Sequence, residues 1–164
     1  MRHIISVLME NEAGALSRVA GLFSARGYNI ESLTVAPTDD ATLSRMTLVT
    51  RGDEAIIEQI TKQLNKLVNV IKVIDFREVK FVDREMFLIK VKAEANTRSE
   101  ALRIVDIFRG KVVDVSPNFF TIEVTGDEGK IQAILDLLNQ QGIVEVVRTG
   151  KVAIARSRKN STKK

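Results

Sequence analysis

The 164 residues include no cysteine, so neither a disulfide framework nor a thiolate metal site can form. There is one histidine, His3. That count excludes a histidine-based catalytic triad and a two-histidine metal site within one chain. Its place at the start of a strand-like run marks it as a strand-end surface residue. Tryptophan is absent and tyrosine occurs once, at Tyr28. RNA-reading βαββαβ domains stack bases on aromatic residues of their central strands. The run Leu43-Ser44-Arg45-Met46-Thr47-Leu48-Val49 has none, so no nucleic-acid partner is expected. No stretch reaches the roughly 18 apolar residues needed to span a bilayer. The first residues lack the apolar core of a signal peptide. A cytoplasmic protein with no membrane partner is the expectation.

The net charge of +4 has a local origin. The last nine residues, Arg156 to Lys164, carry five of the 25 basic side chains and no acidic one. The remainder is nearly balanced, 20 basic against 21 acidic. A solvated basic tail over 157–164 accounts for the excess without a folded basic patch.

What is present is one pattern written twice. Residues 3–10 read as a strand, with Ile5, Val7 and Met9 on one face. Leu16, Val19, Ala20 and Phe23 follow helical spacing, and Gly27 sits where a left-handed cap is wanted. Strand pattern returns over 28–36. Pro37-Thr38-Asp39-Asp40 is turn chemistry, and 42–50 is a further strand. Asp53 caps a second helix with an Ile57, Ile60, Leu64 and Leu67 stripe, and 69–76 closes the unit. In the second half, Phe87, Ile89, Val91 and Ala93 alternate with Leu88, Lys90 and Lys92. Thr97 and Glu100 have capping-box spacing ahead of a helix burying Ala101, Ile104, Val105 and Phe108. Gly110 stops that helix. Strands at 111–115 and 119–125 flank Ser116-Pro117-Asn118. Asp127 opens a last helix with Ile131, Ile134, Leu135 and Leu138, and strand pattern ends the chain at 143–147 and 152–155. The fold class is α+β, two ferredoxin-like βαββαβ domains in tandem, over 1–77 and 78–156. A unit of this size is marginal alone, so at least a dimer is expected.

Catalytic candidates are few. Asp39 and Asp40 read as turn formers, and Gly126-Asp127-Glu128-Gly129-Lys130 lacks the spacing of a phosphate loop. The informative segment is Asn11-Glu12-Ala13-Gly14-Ala15-Leu16, between the first strand and first helix. Small residues there let a ligand approach the backbone, and the amides opening a helix suit a carboxylate. The plain alternative is that Asn11 caps the helix and Gly14 eases a tight turn.

The run Asn11 to Val19, then Phe23-Ser24-Ala25-Arg26-Gly27-Tyr28-Asn29-Ile30-Glu31-Ser32-Leu33-Thr34-Val35, then Asp39 and Leu43 to Thr47, resembles the small regulatory subunit of acetolactate synthase (acetohydroxyacid synthase). The first unit is similar to an ACT domain, an amino-acid-sensing module. Gln63 to Val68, Arg84-Glu85, Phe108-Arg109-Gly110 and Asp114 to Pro117 extend the likeness. The resemblance implies a non-catalytic subunit that activates a large catalytic partner and confers feedback inhibition by valine or another branched-chain amino acid. Thiamine diphosphate, magnesium and FAD are expected only in that partner, with no cofactor and no metal site in this chain. Homodimerisation through the ACT domains is implied too, with valine between Asn11, Gly14, Ala15 and Leu16 of one chain and Asn29 and Ile30 of the other. The competing reading is a stand-alone amino-acid-responsive transcription regulator, for which no helix-turn-helix pattern is present.

Overall fold

A computed structural model describes residues 1–157. The basic tail expected from 157 lies, beyond Ser157, outside the described residues. The chain divides into two compact units, Met1–Val82 with the segment from Lys151, and Asp83–Gly150.

The first unit opens on β1 (Arg2–Glu10), whose alternate residues Ile5, Val7 and Met9 are buried. Helix α1 (Ala15–Ala25) follows, then β2 (Ile30–Pro37), β3 (Leu43–Arg51), α2 (Glu54–Asn65) and β4 (Val70–Asp75). The strands pair in the order β2-β3-β1-β4, all antiparallel, which is the ferredoxin-like arrangement. The stripe on α1 is Ala15, Val19, Leu22 and Phe23. It runs one position off the Leu16 and Ala20 assignment, because Leu16 lies at the stripe's edge and stays 40% exposed. Helix α1 ends in a two-bond left-handed cap. Tyr28 N donates to Phe23 O (3.0 Å), Gly27 N donates to Ser24 O (3.1 Å), and Gly27 takes φ +67. The rings of Phe23 and Tyr28 meet edge-on at 6.5 Å across that cap. Helix α2 starts as expected, with the Asp53 carboxylate accepting from Ile56 N at 2.9 Å. Ile57, Ile60 and Leu64 are fully buried, each worth about 1.5–3 kcal/mol of apolar burial.

His3 is not a surface residue. It is 2% exposed, and its Nε2 donates to Gly52 O at 3.0 Å. The reason is register. His3 pairs with Thr50 in a central strand and shares the helix-facing side with Ile5 and Val7.

The second unit repeats the order with β5 (Phe81–Lys92), α3 (Arg98–Ile107), β6 (Lys111–Val115), β7 (Phe119–Gly126), α4 (Glu128–Asn139) and β8 (Ile143–Arg148). Its strand order is β6-β7-β5-β8, and Phe87, Ile89, Val91 and Ala93 supply the inner face of β5. A ninth strand, β9 (Val152–Ala155), pairs with β5 and makes this sheet five-stranded. Beside it, Arg156 N donates to Lys80 O at 2.8 Å. Asp127 caps α4 by accepting from Lys130 N at 2.9 Å.

One local expectation fails in this unit. The Thr97 and Glu100 capping box does not form. Thr97 already has helical backbone angles (φ −115, ψ −10), so its hydroxyl points back to Glu94 O, while Glu100 faces Arg103. At the other end of α3, which stops before Gly110 as expected, the left-handed residue is Arg109 (φ +53). Gly110 N donates to Val105 O (2.8 Å) and Arg109 N to Asp106 O (3.0 Å), the same two-bond cap as on α1. Gly110 answers a different need: a Cβ there would sit 3.1 Å from Glu123 O. Among the described residues, no helix is long and apolar enough to cross a membrane.

Candidate functional site

The loop from β1 to α1 is held at its strand end by two backbone bonds. Glu10 N donates to Asn69 O (2.9 Å) and Asn11 N to Thr42 O (2.8 Å). Asn11 does not cap α1. Its Nδ2 donates to Ala41 O at 3.0 Å, which ties the loop to the turn between β2 and β3. That turn is itself set by Asp40, whose carboxylate accepts from Thr42 N (2.9 Å) and Thr42 Oγ1 (2.7 Å). Those two bonds to Thr42, the hydroxyl's first, hold the Asp40 carboxyl below its ordinary range. Between the loop and this turn lies a cleft of about 490 Å³ with Ile71 at its edge.

The residue before α1 is Gly14, at φ +86 and ψ −10, and no side chain caps the helix. Left-handed backbone of this kind favours glycine. Ala15 N turns back to Glu12 O at 3.2 Å, so that amide is occupied. Leu16 and Ser17 hold the next two positions, whose N–H groups have no partner within a helix. An uncapped first turn carries a partial positive charge and accepts an anion well. Asn11, Gly14 and Leu16 are exposed, whereas Ala15 is 3% exposed and belongs to the core stripe.

Asn29 and Ile30 lie at the far end of the same sheet. Asn29 O accepts from Thr50 Oγ1 at 2.7 Å, and Ile30 pairs with Thr50, which pairs with His3. Asn11 follows Glu10, at the opposite end of β1. At roughly 3.3 Å per residue, about 25 Å of strand separates the two candidate groups. One chain cannot bring them together. Strand β2 bulges between Ile30 and Ser32, next to Asn29. The intervening Glu31 accepts from Arg2 Nε (2.8 Å) and also pairs with Arg51. Burial pushes the Glu31 carboxyl up, but Arg51 and Arg2 outweigh it and hold the group below its ordinary range.

Three contributors were invisible to periodicity and motif. Arg18 Nη1 donates to Asn69 Oδ1, and Asn69 Nδ2 donates to Glu10 Oε2 (3.0 Å) and Glu12 Oε2 (3.3 Å). Asn69, 7% exposed, thereby links the strand end, the loop and the first helix. Glu31 is the third. In the sequence Asn69 is an unremarked residue between a helix and a strand, and Arg18 is one helix-surface cation among many. Among the described residues, no group of three or more His, Cys, Asp or Glu is placed to hold a metal ion.

Against known families, the small subunit of acetolactate synthase matches residues 84–157, and the AHAS small subunit-like ACT domain matches residues 5–72. An acetolactate synthase small subunit of Haemophilus influenzae is 52% identical over 161 residues, covering 98% of this chain and 99% of that one. The acetolactate synthase isozyme 3 small subunit of Escherichia coli is 54% identical over 160 residues, covering 97% and 98%. The crystal structure of an acetolactate synthase small subunit from Thermotoga maritima superposes with a TM-score of 0.85 at 42% identity, over 96% of this chain and 99% of that one. The chain therefore belongs to the acetolactate synthase small-subunit family, the regulatory and non-catalytic component of that enzyme, and its first unit carries the family's ACT domain.

Proposed function

We propose that this chain activates a thiamine-diphosphate-dependent catalytic subunit in the cytoplasm and makes it subject to feedback inhibition by valine. The effector sits between the ACT units of a homodimer. The observation that carries the reading is the pairing of two facts. The start of α1 is uncapped behind a left-handed Gly14, and its complement, Asn29 with Ile30, lies at the other end of the sheet. A two-fold pair of sheets solves that separation, because symmetry sets one end of each copy beside the opposite end of the other.

In this arrangement the amides of Leu16 and Ser17 take the effector carboxylate, and Gly14 lets it approach. The carbonyl and side chain of the partner's Asn29 face the ammonium, and Leu16 and Ile30 line the aliphatic part. One methylene in such a lining is worth about 1–3 kcal/mol, so leucine and isoleucine bind more weakly but measurably. Thiamine diphosphate, magnesium and FAD are assigned to the catalytic subunit. Inhibition is linkage: valine binds the inhibited assembly more tightly than the active one, and bridging two copies lets it select between their relative orientations.

The test is reconstitution. The chain is mixed with its large subunit, and acetolactate formation is followed with and without valine. Stimulation that valine reverses is expected. Stimulation indifferent to all three branched-chain amino acids would refute the sensor, and absence of stimulation would refute the activator.

A further inference from the structure

We propose that Asn69 is the positioning residue of the effector loop, and that it works by holding the Glu12 carboxylate away from the open end of α1. This rests on reading that loop as the valine site.

The loop contains its own competitor. Glu12 lies two residues before Gly14, and a carboxylate that close to an uncapped helix start is drawn to the same amides that would receive the ligand. Nothing within the loop is placed to prevent this: Ala13 and Gly14 carry no polar side chain, and the Asn11 amide donates to Ala41 O. The restraint comes from outside, from the connection between α2 and β4. There Asn69 uses its backbone carbonyl and both polar atoms of its side chain. Its carbonyl accepts from Glu10 N at 2.9 Å. Its Oδ1 accepts from Arg18 Nη1, and its Nδ2 donates to Glu10 Oε2 at 3.0 Å and Glu12 Oε2 at 3.3 Å. These four bonds reach a residue before the loop, one inside it and one after it.

The side-chain type is demanding. Two carboxylates and one guanidinium converge on a group that must donate to the first two and accept from the third. A planar amide does both. Aspartate would keep the acceptor for Arg18 but lose the donor, and would add a third negative charge beside Glu10 and Glu12. Glu12 would then be released toward the helix end. The same residues Glu12, Arg18 and Asn69 wall a cleft of about 470 Å³ with Lys66, Leu67 and Val68, so the released side chain has room to move.

The experiment is calorimetric titration of the full chain with valine. Asn69→Asp is expected to weaken valine at least tenfold. Adding Glu12→Gln to that variant removes the competing charge and supplies an amide that donates to the new aspartate. Affinity is expected to return to within threefold of the parent, a recovery that a merely structural role would not produce. Thermal midpoints are recorded for each protein. Should Asn69→Asp fail to fold, Glu12→Gln alone decides: affinity equal to or tighter than the parent's supports the restraint, and a tenfold loss makes Glu12 a ligand contact and overturns it. Unchanged affinity in folded Asn69→Asp, or a double variant as weak as the single, overturns the proposal while leaving the effector site standing. No valine binding by the parent chain removes the effector reading itself.

Discussion

Gly14→Asp is the sharpest perturbation of the proposed effector loop, because the folded chain has room for it. Backbone at φ +86 costs an ordinary L-residue about 1–2 kcal/mol, and aspartate is among the side chains that visit this region most readily. An added Cβ meets only Arg18 Nη2 at 3.9 Å and Cζ at 4.0 Å, ordinary contact distances. The new carboxylate gains from the helix start by about 0.3–1 kcal/mol and lies within reach of the Arg18 guanidinium. Strain and electrostatics nearly cancel, so the thermal midpoint is expected to stay within a few degrees. The ligand faces a different balance. Two carboxylates about 4 Å apart repel by about 4 kcal/mol at an effective dielectric of 20. Halving that for relaxation leaves about 2 kcal/mol, or about a 30-fold loss of valine affinity. Gly14→Ala carries the strain without the charge and is expected to lose less than tenfold. Calorimetric titration of both variants is the assay. Parental valine affinity in folded Gly14→Asp would refute the carboxylate's assignment to these amides.

Glu31→Gln is expected to lower stability to urea by about 1 kcal/mol at pH 7, since it removes the shared partner of Arg2 and Arg51. The folded-state pKa of Glu31 is depressed, so its contribution is present above the unfolded value and is lost as pH falls through the folded one. The gap between parent and variant should therefore narrow as pH falls below the ordinary glutamate range. Arg109→Gly is expected to raise stability by about 1 kcal/mol by relieving a left-handed arginine, whereas Gly110→Ala is expected to lower it by about 1–3 kcal/mol against the Glu123 carbonyl. Asp127→Ala should cost about 1 kcal/mol as a lost helix cap, and Thr97→Ala less than about 0.5 kcal/mol, because Thr97 caps nothing. Chemical denaturation of the four variants checks each sign.

The two βαββαβ units were readable from alternation and helical spacing because one face of each element is buried and the other is not. Asp53 and Asp127 were readable as caps because an aspartate stands just before each apolar helical stripe, and both prove to be extended. Thr97 has the fuller signature, with Glu100 three residues on, and fails because its backbone has already turned helical, which spacing does not report. His3 was misplaced for a related reason. A polar residue at a strand end reads as surface, yet a central strand is covered on its helix side to its last residue. The exposed loop Asn11 to Leu16 stood out through its small residues. That Ala15 spends its amide on Glu12, and that Asn69 braces the loop from fifty-odd residues away, are long-range or geometric facts with no local pattern.

The separation of Asn11 and Asn29 along one sheet gives the proposed pocket a genetics of its own. In the proposed symmetric pair there would be two pockets, each built from one chain's loop and the other chain's strand start. On that proposal, a chain damaged at Gly14 and a chain damaged at Asn29 would each form homodimers with no intact pocket. Mixed as heterodimers, they place both lesions in one pocket and leave the other whole. Two insensitive proteins, co-folded, would then recover valine control at half stoichiometry.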